Sequence, residues 1–193
     1  SKRRGVAGIF FVYKCAGAKA SQGADLDEVV RIAEKAGANV RSMGVALSPV
    51  IVPEVGEPSF TIADGEMEIG MGIHGEPGIR KGALLSADEV VSEMMEQVLP
   101  DLPYGSGDEV SVLVNGLGST PKEELYIVYR KIAQILKGAG IAVYRVYVGE
   151  FGTSLAMPGF SISWLKMDHE PQPLLSGEAA DQAAVVAAGE QEV

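Results

Sequence analysis

No stretch restricts the fold of this chain more than Glu66-Met-Glu-Ile-Gly-Met-Gly-Ile-His-Gly-Glu-Pro-Gly-Ile79. Its first half alternates. Met67, Ile69, Met71 and Ile73 fall on one face of an extended chain, and Glu66, Glu68, Gly70 and Gly72 on the other. Period two predicts a strand over 66–73. Pro77 and the glycines of His74-Gly-Glu-Pro-Gly78 then forbid both a longer strand and an immediate helix. One imidazole, His74, therefore stands where a strand ends and a tight loop begins. Its small neighbours Gly72 and Gly75 leave room for a ligand. Two readings stay open: a turn histidine bonded to a carbonyl, or a nucleophile or general base on a loop held by a rigid strand. Glu76 is either an acceptor for one ring nitrogen, leaving the other unprotonated, or a solvated loop charge.

Gly70-Met-Gly-Ile-His-Gly75 formally matches G-x-G-x-x-G. A dinucleotide loop must open a helix, so that free amides meet a pyrophosphate. Glu76-Pro77-Gly78 follows instead, so the nucleotide reading is rejected.

Composition narrows the partners. The 193 residues suffice for one domain with a real core, and 47% are apolar. A formal charge of −10 disfavours nucleic acid and anionic membranes. A single cysteine, Cys15, excludes an internal disulfide frame and a cysteine-built zinc site, and fits a reducing compartment. No apolar run reaches the roughly 18–20 residues of a membrane span. Tyr13, Lys14 and Lys19 interrupt the apolar segment after the basic start, against a signal peptide, so a cytoplasmic location is expected.

In chain order, apolar spacing predicts a helix over 5–22. It begins so abruptly that a chain cut from something longer is expected. Asp25-Leu-Asp-Glu28 is a capping box for a second helix, with Leu26, Val29, Val30 and Ala33 as its buried stripe. Residues 41–44 read as a connection, 45–52 as a strand with Pro49 inside it, and 60–62 as a short strand. Asp64-Gly65 reads as a hairpin turn. Ser86-Ala-Asp-Glu89 caps a helix carrying Val90, Met94 and Val98. Residues 109–115 form a buried strand. Thr120 as N-cap and Pro121 as first residue open a helix burying Leu125, Val128, Ile132 and Ile135. Strands follow over 141–148 and 160–167. From Asp168 acidic and alanine-rich sequence takes over. The division is a domain over 1–168 and a tail or linker over 169–193, with His169 at the surface. Five or six strands and four helices predict an α/β (α+β) fold. Gly116-Leu-Gly-Ser-Thr120 is either an anion-binding turn or a packing turn. Phosphate-loop, G-x-S-x-G and paired-histidine metal motifs are missing from the sequence.

Arg3-Arg-Gly-Val-Ala-Gly8, Ser42-Met-Gly-Val-Ala-Leu47, the 66–78 stretch, Val114-Asn-Gly-Leu-Gly118 and Thr153-Ser-Leu-Ala-Met-Pro-Gly-Phe160 together resemble the dihydroxyacetone (glycerone) kinase family. The likeness is to the C-terminal part of its substrate-binding domain, over about residues 3–169. It implies a two-layer domain, a mixed sheet of about six strands and helices mainly on one face. It also implies that His74 forms a covalent hemiaminal with the carbonyl of dihydroxyacetone, with Glu76, Gly75 and Gly72 in support. Phosphoryl transfer goes to a terminal hydroxyl. The donor is ATP in a nucleotide-binding domain, or a phosphorylated partner subunit carrying ADP; this chain is expected to bind no cofactor itself.

The family's preceding half carries a second histidine and an aspartate, with no counterparts here. The resemblance therefore implies that the missing N-terminal half is a partner, and it leaves a homodimer open. The chain alone is expected to show little or no kinase turnover. A second function is implied as well: a non-enzymatic paralogue that senses the ligand as co-activator of a transcription regulator. A lipid-binding domain of related fold is a third, opposed by the His-Gly-Glu-Pro-Gly loop.

Overall fold

Alternation along two central strands decides the architecture. Val110, Val112 and Val114 face one apolar core together with Ile162 and Trp164, while Leu113 and Leu165 face another. Both faces of one sheet are therefore covered by helices. This computed structural model describes residues 4–49, 56, 58, 60–73 and 76–176. A 3-10 turn (Val6–Gly8) leads into α1 (Ile9–Ser21), α2 (Leu26–Asn39), β1 (Val40–Ala46), β2 (Glu66–Ile69), β3 (Arg80–Ala83) and α3 (Ala87–Val98). A second 3-10 turn (Leu99–Asp101) precedes β4 (Glu109–Gly116), α4 (Lys122–Gly138), β5 (Ala142–Gly149), β6 (Gly159–Lys166) and α5 (Pro171–Ser176). The six strands run in the order β3-β2-β1-β6-β4-β5. Only β4 and β5 are parallel, joined through α4; every other pair is antiparallel.

The mixed six-stranded α/β fold is as expected; the layering is not. α3 and α4 cover one face with Val90, Met94, Leu125, Val128 and Ile132. α1, α2 and α5 cover the other with Phe11, Cys15, Ile32, Leu174 and Leu175. The molecule has three layers, not two with helices mainly on one side. Small side chains hide the second packed face: Ser42, Gly44, Ser161 and Ser163 interrupt the apolar alternation of β1 and β6, and the 3-10 turn closes in over them. A Cβ at Gly8 would lie 2.3 Å from Ser42 Oγ.

Helix starts follow local chemistry. The Asp25 carboxylate accepts from Glu28 N at 2.9 Å, and Ser86 and Glu89 complete a reciprocal capping box. α4 departs from expectation. Its N-cap is Pro121, and the Thr120 hydroxyl is drawn away to the backbone of Gly159. The α2 stripe is also shifted. Leu26 is 75% and Val30 45% exposed, whereas Ile32 and Ala36 are buried.

Boundaries move where glycines and short strands mislead. β1 begins at Val40 and includes 41–44, expected as a connection; Val50 to Val52, expected within that strand, lie outside the described residues. Residues 60–62 are not a strand. β2 stops at Ile69 because Gly70 takes φ +82°, so the strand expected to Ile73 is four residues long. Asp64-Gly65 is a turn entering β2, and the hairpin is instead β2–β3. The charged strand β3 carries no apolar alternation and was not expected. α5 lies inside the stretch assigned to the tail and buries Leu174 and Leu175; 177–193 lie outside the described residues.

Candidate functional site

Three connections gather at one end of the sheet: 70–79 between β2 and β3, 117–121 after β4, and 150–158 between β5 and β6. The registers Ala46 to Gly159, Gly116 to Phe160 and Asn115 to Gly149 bring these strand ends together. Carboxyl ends of strands, where loops project from a fixed edge, are where α/β sheets place ligands.

His74 and Gly75 lie outside the described residues, but the backbone on either side of them is fixed. Gly70 N donates to Gly44 O at 2.7 Å, and Arg4 Nη1 donates to Gly70 O at 3.0 Å. The segment then crosses β1 at close range. A Cβ at Gly44 would sit 2.7 Å from the Met71 carbonyl oxygen, so only glycine fits. The Ser154 hydroxyl donates to the Ile73 carbonyl. Gly72 N donates to Glu76 O at 3.1 Å, joining the residues that flank 73–75. Below, Gly78 N donates to Glu68 Oε1 at 2.6 Å and Ile79 N to Ile69 O at 2.8 Å. Met71 and Ile73 pack with Ala46, Ile62, Leu117 and Met157 in a small apolar cluster.

The half-buried Glu76 turns its carboxylate back over Gly72. A Cβ at Gly72 would come within 2.1 Å of Glu76 Oε2 and 3.1 Å of Arg4 Cδ. Gly72 thus lets the Glu76 carboxylate and the Arg4 side chain lie close over the backbone. A bond between Glu76 and His74 lies outside the described residues.

Sequence reasoning missed the residue that aims the neighbouring loop. Asn115, fully buried at the end of β4, uses both halves of its amide. Its Nδ2 donates to Gly152 O at 2.8 Å and Ser161 Oγ at 3.2 Å. Its Oδ1 accepts from Phe151 N at 2.7 Å and Gly152 N at 2.8 Å. Every polar valence of the side chain is satisfied. The available signal was a polar residue closing an apolar strand just before Gly-x-Gly. From Asn115 the path runs through 151–152 to Ser154 and on to Ile73, next in sequence to His74.

The 117–121 turn packs against this loop. Ser119 Oγ donates to Ala156 O at 2.8 Å and Ser154 N to Leu117 O at 3.2 Å. Gly118, at φ +113°, has no space for a Cβ, which would meet the Leu155 carbonyl at 1.7 Å. Leu155 itself holds φ +52°, a strained conformation for a branched side chain. Burial pushes the Glu150 carboxyl above its usual range, offset in part by the Gly118 amide. Among the described residues no group of His, Cys, Asp and Glu is arranged to hold a metal ion. No described helix is long and apolar enough to cross a membrane. Cys15 is buried and its thiol pushed up to about 11 by that burial, matching an inert core role. His169 is exposed, as expected.

Residues 1–183 match the family model described as the Dak1 domain. The dihydroxyacetone-binding subunit DhaK of a PTS-dependent dihydroxyacetone kinase from Listeria innocua is 46% identical over 173 residues, covering 90% of this chain and 52% of that protein. The chain thus spans about half the length of the curated binding subunits it matches. Among solved structures, a dihydroxyacetone kinase operon co-activator superposes with TM-score 0.83 at 30% identity, covering 97% of this chain and 57% of that one. The dihydroxyacetone kinase of C. freundii, in complex with AMP-PNP and Mg2+, superposes with TM-score 0.77 at 33% identity, covering 91% and 32%.

Proposed function

The chain belongs to the Dak1-domain family of dihydroxyacetone kinases, and from that premise we propose that it is the substrate-anchoring part of such a kinase, holding dihydroxyacetone covalently through His74. The unprotonated ring nitrogen of a neutral imidazole adds to the ketone carbon, the C=O π pair moves to oxygen, which takes up a proton, and the other ring nitrogen gives up its own. No group leaves, so the product is a hemiaminal. The adduct fixes the triose with a terminal hydroxyl presented for phosphorylation. Glycerol is refused because it has no carbonyl to attack. The donor, ATP or a phosphorylated ADP-carrying partner, belongs to a separate nucleotide-binding domain or subunit. The remaining half of the kinase domain supplies the acid–base groups.

The observation carrying this reading is the latched backbone: Ser154 on the Ile73 carbonyl and the Gly72–Glu76 bond hold both flanks of His74 at the sheet's rim. Glu76, Gly72 and Gly75 serve as supports rather than reactants. The test is intact-protein mass measurement under native conditions, backed by a crystal soak. The native chain should gain one dihydroxyacetone, with density joined to His74, and gain nothing from glycerol. His74→Gln should gain nothing from either. An adduct that survives in His74→Gln, or none in the native chain, overturns the proposal.

A second reading is favoured by the co-activator superposition: a ligand sensor without turnover. Both readings need His74. They part on phosphorylation once a donor and the remaining half are supplied. By itself the 193-residue chain should phosphorylate dihydroxyacetone negligibly, and measurable turnover would refute that expectation.

A further inference from the structure

Glu68 breaks the pattern of its own strand. Alternation puts it with Glu66 on the face of β2 opposite Met67 and Ile69, where a charge is expected to stand in water. Glu66 does so in part, and its carboxylate accepts from Ala63 N at 3.2 Å in the entering turn. Glu68 is only 8% exposed. Glutamate is poorly suited to a strand, and a buried carboxylate is costly unless it is paired and hydrogen-bonded.

The loop after β2 supplies the bond. Gly78 N donates to Glu68 Oε1 at 2.6 Å, short as charge-assisted bonds are. Gly78 is shaped to the contact. A Cβ there would lie 2.3 Å from the Ile69 carbonyl oxygen and 2.8 Å from Glu68 Cγ, so only glycine fits. Glu68 Oε2 faces Lys81 Nζ at 3.7 Å, on the residue opposite it in the β2–β3 ladder. Lys81 in turn donates to the Thr61 carbonyl, and the adjoining Ile62 packs with Met71 and Ile73.

These contacts act on the limb of the connection that the other fastenings leave alone. Gly44, Arg4 and Ser154 hold Gly70 and Ile73. Pro77 has no N–H to give, so Gly78 carries the first backbone donor after Glu76. We propose that Glu68 is a positioning residue for the substrate-anchoring loop: its carboxylate holds the returning Pro77-Gly78 limb and so fixes where the loop carrying His74 stands. This rests on the function proposed above. Glu68 takes no part in the addition step and works through the backbone of Gly78.

The test sets Glu68→Leu, which keeps the volume and removes the acceptor, against Glu68→Gln, which keeps an acceptor oxygen and removes the charge. Lys81→Met is the control, since it ends the ion pair and leaves the Gly78 bond. Amide exchange is followed by mass, and dihydroxyacetone is titrated into each chain. In Glu68→Leu, exchange in peptides covering 70–79 should speed up about ten-fold or more, the worth of a bond to a charged acceptor, with peptides of β4 unchanged. The dihydroxyacetone concentration that gives half-maximal adduct should rise by about the same factor. Glu68→Gln should recover most of both losses, and Lys81→Met should match the native chain. Native exchange or native adduct formation in Glu68→Leu overturns the proposal. So does a loss that Glu68→Gln does not recover, or one that Lys81→Met reproduces, because Gly78 would then not be the link. Exchange that rises equally across β4 overturns it too, since Glu68 would then serve stability alone. A native chain that forms no adduct sinks the function proposed above, and the exchange comparison still decides whether Glu68 holds the loop.

Discussion

The two faces of the sheet are built from the same strands and differ in kind. Towards α3 and α4, β4 and β6 present Val112, Val114, Phe160, Ile162 and Trp164, all buried in one apolar cluster. Towards α1, the same strands present Ser111, Asn115, Ser161 and Ser163, each fully buried, with only Leu113 and Leu165 as large apolar partners. Burial of large side chains, at about 1.5–3 kcal/mol each, makes the first face the source of stability. The second gives up that gain. Its small and hydroxylated side chains let backbones approach and carry hydrogen bonds to the loops that flank His74. One face holds the protein folded; the other holds the loops at the sheet's rim in place.

That division yields predictions with opposite signatures. Trp164→Ala should cost about 3–5 kcal/mol in denaturant unfolding while leaving the dihydroxyacetone adduct intact in the folded fraction. Loss of the adduct before unfolding would break the comparison. Asn115→Ala strands the buried amides of Phe151 and Gly152, and should cost about 1–3 kcal/mol. Unlike Trp164→Ala it should weaken the adduct at temperatures where the protein is fully folded, as read by mass. Gly44→Ala forces the Met71 carbonyl away and should cost about 1–3 kcal/mol as overpacking, with adduct formation falling more than stability does. Ser154→Ala removes one hydrogen bond worth about 1 kcal/mol; it should lower adduct occupancy several-fold and barely move the melting temperature. The smallest effect lies far from the rim. Arg31 and then Lys35 hold the Glu170 carboxyl down to about 2, below its unfolded value. A depressed carboxylate contributes stability above its unfolded pKa and loses it as pH falls from about 4.5 towards 2. Glu170→Gln should flatten that part of the melting-temperature profile slightly and leave the adduct unchanged.

How much was legible follows the same line. The apolar face announced itself: Val110 to Val114, the Ser86 capping box and most of the α4 stripe read correctly, with Leu136 rather than Ile135 as its last buried residue, because hydrophobic period and cap chemistry are local signals. The polar face did not. Ser42 and Gly44 looked like a break in β1 because their reason is a distant backbone, the 3-10 turn and the 71 carbonyl. Thr120 looked like a cap because nothing nearby in sequence points to Gly159. Leu174 and Leu175 were lost behind acidic residues of which Asp168 and Glu170 are matched across the fold by Lys35 and Arg31. His74, Gly72, Gly75 and Glu76 stand out in the sequence as a candidate position, from an alternating pattern meeting a Pro-Gly loop, although the strand itself stops at Ile69. Asn115 and Ser154 do not, since their roles exist only once β4 and β6 lie side by side.

The β2–β3 hairpin meets the rest of the sheet along only two residue pairs, Val45 with Ile69 and Ala46 with Glu68. It is a cantilever. So short a ladder leaves the loop after β2 dependent on a few further fastenings, Gly70 on Gly44, Arg4 on Gly70 and Ser154 on Ile73. Met67 and Ile69 keep β2 itself in the core, but the amides of the loop after it should exchange with solvent sooner than those of β4. A rim fastened at so few points can be retuned one hydrogen bond at a time while the strand beneath it stays packed.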